Sequence, residues 1–303
     1  MAGNNDQRVL SIQSHVVTGY VGNKSATFPM QVLGYEVDTI NSVQLSNHTQ
    51  YDHFKGQVLN AEELRGVYDG LRLNKINNYS HLLTGYCGSE SFLLEVVKVV
   101  KELKEVNPNL IYVCDPVMGD NGHFYVPEIL LPVYQKQLLP LADLITPNTF
   151  EAELLSGKKI SNEAEALEAM QVLHDIGVKT VVLSSVDTDQ DDKLITLATS
   201  VKDGKKTGCR IEFPKISCQF TGTGDLFTAL LLVWTHKHPD NLQLACEKTL
   251  SSMQAVLSKT DKHAQALAGE GNKPNAFQRE LRMVQSKVDI ENPTLTVKGS
   301  PLS

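Results

Sequence analysis

Short β-branched runs alternate along the chain with longer segments of helical period, and that alternation limits the folds open to it more than any other feature. Strands are expected near Val9 to Gln13, Glu36 to Ser42, His81 to Gly85, Leu110 to Cys114, Leu144 to Thr146 and Thr180 to Ser184. Amphipathic helices lie between them. The clearest are Asn60 to Leu73, opened by Asn60 and Glu63 at capping-box spacing, Phe92 to Val106, and Asn162 to Ile176, stopped by Gly177. A parallel connection needs a crossover long enough for a helix, so the pattern builds a mostly parallel sheet covered on both faces. Two later runs, Lys193 to Val201 and Lys206 to Pro214, meet at Asp203 and Gly204, a hairpin turn that adds antiparallel strands to the same sheet. The remainder, Phe227 to His236, Leu242 to Thr260 and Asn275 to Lys287, reads as helix. The expected architecture is a three-layer α/β/α sandwich. No Pro/Gly/Ser-rich linker or internal repeat divides residues 1–303, so one domain is expected.

Charge and composition remove several classes of function. Thirty-five acidic against 28 basic residues leave a formal charge of -7, which repels nucleic acid and anionic membrane surfaces. The densest apolar stretch, Phe227 to Trp234, is interrupted by Thr228 and is far shorter than the about 18 residues a spanning helix needs. Met1 to Arg8 carries no apolar signal region, so the cytosol is the expected location. The cysteines Cys87, Cys114, Cys209, Cys218 and Cys246 are odd in number and scattered, which suits reduced thiols rather than disulfides or zinc. The P-loop, the dinucleotide fingerprint, H-E-x-x-H and G-x-S-x-G are all absent.

The strongest local signal is Thr221-Gly222-Thr223-Gly224-Asp225, after a strand region and before the apolar segment Leu226 to Trp234. Glycines let a backbone approach a ligand closely, and the first amides of a helix form a positive concavity suited to a phosphate in transfer. A carboxylate beside that concavity, Asp225, is placed to accept the proton of an attacking alcohol. The same residues equally suit a plain turn capped by Asp225. Two further motifs stand at strand ends, Asp115-Pro116-Val117-Met118-Gly119-Asp120 and Thr146-Pro147-Asn148-Thr149-Phe150-Glu151. They carry oxygen ligands of the kind that magnesium and a nucleotide triphosphate need. Asn148 and Glu151 also have capping-box spacing, and Asp115 before Pro116 suits a turn.

In this order the three motifs resemble the ribokinase-like superfamily, and other segments resemble its eukaryotic pyridoxal kinase branch. These are Val9 to His15, Gly19-Tyr20-Val21-Gly22-Asn23, Asn41-Ser42-Val43-Gln44, Ser46-Asn47-His48-Thr49, Leu83-Thr84-Gly85-Tyr86 and Glu280 to Lys287. The likeness spans nearly the whole chain. It implies ATP-dependent phosphorylation of the hydroxymethyl group of pyridoxal, pyridoxine or pyridoxamine. At matching positions it implies Asp225 as catalytic base and the amides of Gly222, Thr223 and Gly224 as anion hole. Ser14, Thr49 and Asp225 would then meet the polar edge of the vitamer, with Val21, Val43 and Tyr86 against its ring.

For the nucleotide, the resemblance implies Asp115, Asp120, Tyr125, Thr146, Asn148, Glu151, Ser184, Ser185 and Thr221 to Gly224, with Asp115, Thr146 and Glu151 as metal ligands. Mg2+ or another divalent ion such as Zn2+, K+ or Na+ as activating ion, and a homodimer follow from the same resemblance. Asp120 to Val126 resembles the family's mobile flap and is shorter than in vertebrate members. Only Ser14 to Tyr35 separates the first two strands, too little for the early lid sheet of related sugar kinases. The alternatives are a hydroxymethylpyrimidine kinase of the same superfamily and a catalytically silent homologue that binds ATP or a vitamer.

Overall fold

The computed structural model describes residues 7–187 and 192–302; residues 1–6, on which the reading of cellular location partly rests, lie outside them. The chain opens with β1 (Arg8–Val16), α1 (Asn23–Val32) and β2 (Glu36–Leu45), then the edge strand β3 (Gly56–Val58) and α2 (Ala61–Leu73). Next come β4 (His81–Thr84), α3 (Glu90–Val106), β5 (Ile111–Cys114) and a small hairpin of β6 (Gly119–Asp120) and β7 (His123–Phe124). A stretch containing α4 (Leu131–Val133) leads to β8 (Leu144–Ile145), α5 (Thr149–Ser156), α6 (Glu163–Ile176) and β9 (Thr180–Asp187). The C-terminal part holds β10 (Lys193–Lys202), β11 (Lys205–Pro214), α7 (Thr223–Lys237), α8 (Leu242–Ala268), the short α9 (Lys287–Glu291) and β12 (Gly299–Pro301).

Among the described residues ten strands form one sheet in the order β12-β11-β10-β9-β8-β5-β4-β1-β2-β3. Strands β2, β1, β4, β5, β8 and β9 run parallel, while β3 on one edge and β10 to β12 on the other are antiparallel. Successive side chains on a strand point to opposite faces. Leu10, Leu82, Tyr112 and Leu183 therefore pack beneath α2, α3, α5 and α6, whereas their neighbours Val9, Leu83, Val113 and Val182 pack beneath α1, α7 and α8. Burial on both faces explains why these strands read as continuous apolar runs. The three-layer α/β/α sandwich expected from the sequence is the observed fold.

Local chemistry sets the joints. Asn60 Oδ1 accepts the Glu63 N–H at 3.0 Å and Glu63 returns a carboxylate to the Asn60 N–H at 2.7 Å, the capping box that starts α2. Asp203 and Gly204 both adopt positive φ, 52° and 74°, as the tight turn between β10 and β11 requires. The expected helix over Asn275 to Lys287 is not formed. Asn275 and Gln278 begin a turn by exchanging hydrogen bonds of 2.8 and 3.0 Å, but the Arg282 N–H goes to Thr260 Oγ1 at 3.0 Å instead of to a carbonyl one turn back. Regular helix resumes only in α9, and the chain ends as a strand, β12, paired with β11.

The order of strands also locates a crevice. β1 lies between β2 and β4, so the chain passes from β1 to β2 on one side and later, through α2, back past β1 to β4 on the other. In open α/β sheets ligands bind outside the carboxyl ends of the strands at such a switch point.

The opposite, amino end of the strands holds a pair of imidazoles, one of them buried. His81 is 1% exposed, with its ring centroid 4.6 Å from that of His236. Burial, with a smaller contribution from His236, lowers its pKa from 6.5 to about 3. Between those values the unfolded chain binds a proton that the folded chain refuses, so stability falls as pH falls. From neutral pH to pH 5 the loss from this residue is on the order of 2 kcal/mol. Urea midpoints at the two pH values should differ less in His81→Asn than in the native chain, and equal differences would refute this account.

Candidate active site

Helix α7 is apolar all round, with every residue from Leu226 to Trp234 buried. A helix of that kind must lie between other layers, and this one sits between the sheet and α8, which fixes the aim of its amino end. Its N-cap, Gly222, is left-handed at φ 82°, and a Cβ there would lie 1.9 Å from the Tyr20 carbonyl oxygen. Only glycine meets both demands. The Leu226 N–H bonds Gly222 O at 3.2 Å, so the amides of Thr223 and Gly224 stand at the positive end of the helix outside its ladder. The Asp225 carboxylate accepts the backbone N–H of Gly22 and its own; burial nevertheless raises its pKa to about 6.

Across the ends of β5 and β8 stand Asp115 and Thr146, both buried. Thr228 Oγ1 donates to Asp115 Oδ2 at 3.3 Å and lies 2.7 Å from Thr146 Oγ1. A Cβ on Gly224 would lie 3.7 Å from Asp115 Oδ2, so this carboxylate looks onto the glycine turn. Asn148 and Glu151 make the capping box of α5, through bonds of 2.9 and 3.0 Å. The capping reading of that pair is what the geometry displays. Glu151 Oε1 also accepts the Met118 N–H at 2.9 Å, and Asn148 Nδ2 donates to Gly119 O at 2.8 Å, so the box holds the base of the β6–β7 hairpin.

Burial dominates the protonation of these groups. It raises Glu151 to about 7 against three backbone N–H bonds, and raises Asp115 well above the carboxylate range, with the Glu151 and Asp225 charges adding to the effect. Among the described residues no group of three or more His, Cys, Asp or Glu side chains converges closely enough to hold a metal ion. Magnesium is commonly held by one or two carboxylates, with waters and substrate phosphates completing its shell, so a buried acidic edge of this kind fits it.

The segment that resembles a flap is the β6–β7 hairpin, which turns at Asn121 and Gly122, both at positive φ, 50° and 79°. Its Phe124 ring meets Phe150 of α5 edge-on at 5.3 Å. Asp120 accepts the Asn121 N–H, and Tyr125 is exposed. The Ser184 N–H bonds Pro147 O at 3.2 Å and Thr149 Oγ1 bonds Ser185 O at 2.9 Å, which joins both serines to the motif at the end of β8.

On the other side of the turn, Ser14 lies near the end of β1, Val21 in the loop after it and Tyr86 in the loop after β4. A Cβ on Gly22 would lie 2.0 Å from Ser14 O, and one on Gly85 would lie 2.4 Å from Gln13 Oε1, so the loops after β1 and β4 press against the end of β1. The Tyr86 carbonyl accepts Ser42 Oγ at 2.7 Å, beside the buried Val43 of β2. Thr49 stands apart, exposed on the loop after β2, and Thr221 precedes the turn half-buried. Two residues at this edge were not singled out from sequence. Thr228 was visible only as the one hydroxyl in the apolar stretch Leu226 to Trp234. Glu280, in the segment expected to be helical, instead bonds the Tyr20 N–H and the Tyr51 hydroxyl.

Comparison with known proteins gives a consistent result. The family profile described as phosphomethylpyrimidine kinase matches residues 84–265. The chain is 57% identical to the pyridoxal kinase of Sus scrofa across 99% of its own length and 97% of that protein's. It is 55% identical to the pyridoxal kinase of Homo sapiens, covering 97% and 98% of the two chains. The solved structure of pyridoxal kinase from Leishmania donovani in complex with ADP and pyridoxamine matches with a TM-score of 0.90 at 36% identity, over 98% of this chain and 100% of that one. End-to-end identity of this order, on a ribokinase-like fold whose sheet edge already joins a glycine turn to a carboxylate, places the chain in the pyridoxal kinase family.

Proposed function

We propose that Asp225 is the base through which this kinase phosphorylates the hydroxymethyl group of pyridoxal, pyridoxine or pyridoxamine with ATP. Its carboxylate takes the hydroxyl proton as the alkoxide oxygen bonds to the γ-phosphorus and the bond from that phosphorus to the β-phosphate oxygen breaks, releasing ADP. The amides of Gly222, Thr223 and Gly224 face the charge on the moving phosphoryl group. One observation carries this reading: the carboxylate adjoins the left-handed glycine turn and is bonded to Gly22, in the loop that presses on Ser14. Ser14, Thr49 and Asp225 anchor the polar edge of the vitamer in this proposal, and Val21, Val43 and Tyr86 flank its ring.

The nucleotide side of the proposal comprises Asp115, Asp120, Tyr125, Thr146, Asn148, Glu151, Ser184, Ser185 and Thr221. Burial disfavours the charged forms of Asp115 and Glu151, and a divalent ion held by Asp115 with Thr146 and Glu151 would restore them and offset the charge of the triphosphate. A monovalent cation such as K+ or Na+, a homodimer, a cytosolic location and a single domain belong to the same proposal. Support for one domain comes from the continuous sheet. Among the described residues no helix is long and apolar enough to cross a membrane.

The match to the phosphomethylpyrimidine kinase profile favours one alternative substrate, hydroxymethylpyrimidine. Side-by-side turnover with ATP, varying magnesium and potassium, decides between the two. We expect magnesium-dependent formation of pyridoxal phosphate, with kcat/KM for pyridoxal at least about 100-fold above that for the pyrimidine. A preference for the pyrimidine, or vitamer binding without product, would overturn the assignment.

A further inference from the structure

The segment that failed to form a helix has its own task. Leu281 and Met283 bury it in the core on the α7 side of the sheet, and Thr260 of α8 fixes the Arg282 amide. From this anchored base two neighbouring side chains reach in different directions. Arg279 Nη1 donates to Gln219 O at 3.0 Å, on the approach to the glycine turn. Glu280 turns to the vitamer side, with only 14% of its side chain exposed.

The Glu280 carboxylate gathers groups from two loops more than 200 residues away in sequence. Oε2 accepts the Tyr20 N–H at 3.1 Å, while Oε1 accepts the Tyr51 hydroxyl at 2.8 Å and lies 3.2 Å from His48 Nε2. The rings of His48 and Tyr51 pack together at 4.9 Å. Gly19 leaves room for the carboxylate, since a Cβ there would lie 2.2 Å from Oε1. Thr49 lies between the two bonded residues His48 and Tyr51, and Tyr20 leads through Val21 to Gly22, whose N–H reaches Asp225. Burial opposes ionisation of Glu280, but hydrogen bonds from His48, Tyr51 and Tyr20 hold its pKa below the usual value.

A buried polar cluster can often be replaced as a whole by well-packed apolar groups at little cost, whereas loss of one member strands the others. This one joins loops that flank the crevice. We propose that Glu280 is a positioning residue for the vitamer, clamping the Thr49 loop against the Tyr20 to Gly22 loop. The proposal rests on the reading that Thr49 meets the vitamer.

The test compares Glu280→Ala, Glu280→Gln and Thr49→Ala, with steady-state kinetics on pyridoxal and ATP and with melting temperatures. Glu280→Ala should raise KM for pyridoxal about tenfold, with KM for ATP changed less than about twofold. Glu280→Gln should recover part of the loss, because its one amide oxygen can still accept either the Tyr20 N–H or the Tyr51 hydroxyl, though not both. A pyridoxal KM in Glu280→Ala within about twofold of native overturns the proposal, as do equal losses for both substrates accompanied by a lowered melting temperature. Should Glu280→Ala fail to fold, Tyr51→Phe removes one arm of the clamp and should raise the pyridoxal KM at least about threefold; no change there is equally fatal. If Thr49→Ala raises KM while Glu280→Ala does not, the clamp alone is wrong. An unchanged KM in Thr49→Ala overturns the pocket reading and the clamp with it.

Discussion

Asp225→Asn should lower kcat by about 10²- to 10⁴-fold, the range for loss of a positioned general base, while ATP binding stays near native. The pH dependence gives an independent check. Because the base must be ionised, kcat/KM of the native chain should rise with pH through about 6, where burial places the Asp225 carboxyl. The variant should lose that limb. The same shift makes a prediction about stability with the opposite sign from an ordinary loss of function. The folded chain holds a proton on Asp225 that the unfolded chain releases from 3.8 upward, so stability declines as pH rises from there to about 6. Asn carries no charge, and Asp225→Asn should therefore be more stable at neutral pH, by on the order of 2–3 kcal/mol. A variant that turns over normally refutes the assigned base, and one that melts earlier refutes the electrostatic account of its site.

Gly222→Ala should be nearly as damaging, by a different route. The left-handed φ of 82° costs an L-residue roughly 1–2 kcal/mol, and the new Cβ would lie 1.9 Å from the Tyr20 carbonyl, so the turn or the loop after β1 must move. Displacing amides that face a transferring phosphoryl group should lower kcat by about 10²- to 10³-fold. Gly204→Ala supplies the comparison. Its φ of 74° carries similar strain, but no atom lies within 4 Å of the added carbon, and it sits in the β10–β11 turn. Comparable loss of stability with native turnover there, against collapse of kcat at Gly222, would separate strain from catalysis. Equal kinetics for the two variants would mean that the glycine turn does not handle the phosphoryl group.

The main frame was legible because each of its signals is local. Caps at Asn60, Asn148 and Asn162 and stops such as Gly177 depend on residues a few positions apart, and the apolar runs of the parallel strands need no partner to be seen. The glycine turn was legible for the same reason. What escaped depends on distant neighbours. Asn121-Gly122 is a strong turn signal, but strands of two residues on either side leave no alternation to read. Asn275 to Ser286 has helical composition, yet the Arg282 N–H goes to Thr260 of α8 rather than into the ladder, while the Glu280 side chain bonds Tyr20 far back in the chain. Thr228 looked like an interruption of an apolar helix until Asp115 and Thr146 were brought beside it.

The packing of α7 has a consequence for how such an enzyme diversifies. With Leu226 to Trp234 enclosed by neighbours, the head of the helix works as a fixed anvil, and a change beneath it disturbs the whole interior. In the proposed function the opposing jaw is made of the loops after β1, β2 and β4, which carry exposed or half-buried residues such as Thr49, Val21 and Tyr86. Selection for a new acceptor alcohol would then act on the jaw and spare the anvil, so substrate range drifts while the transfer step stays the same.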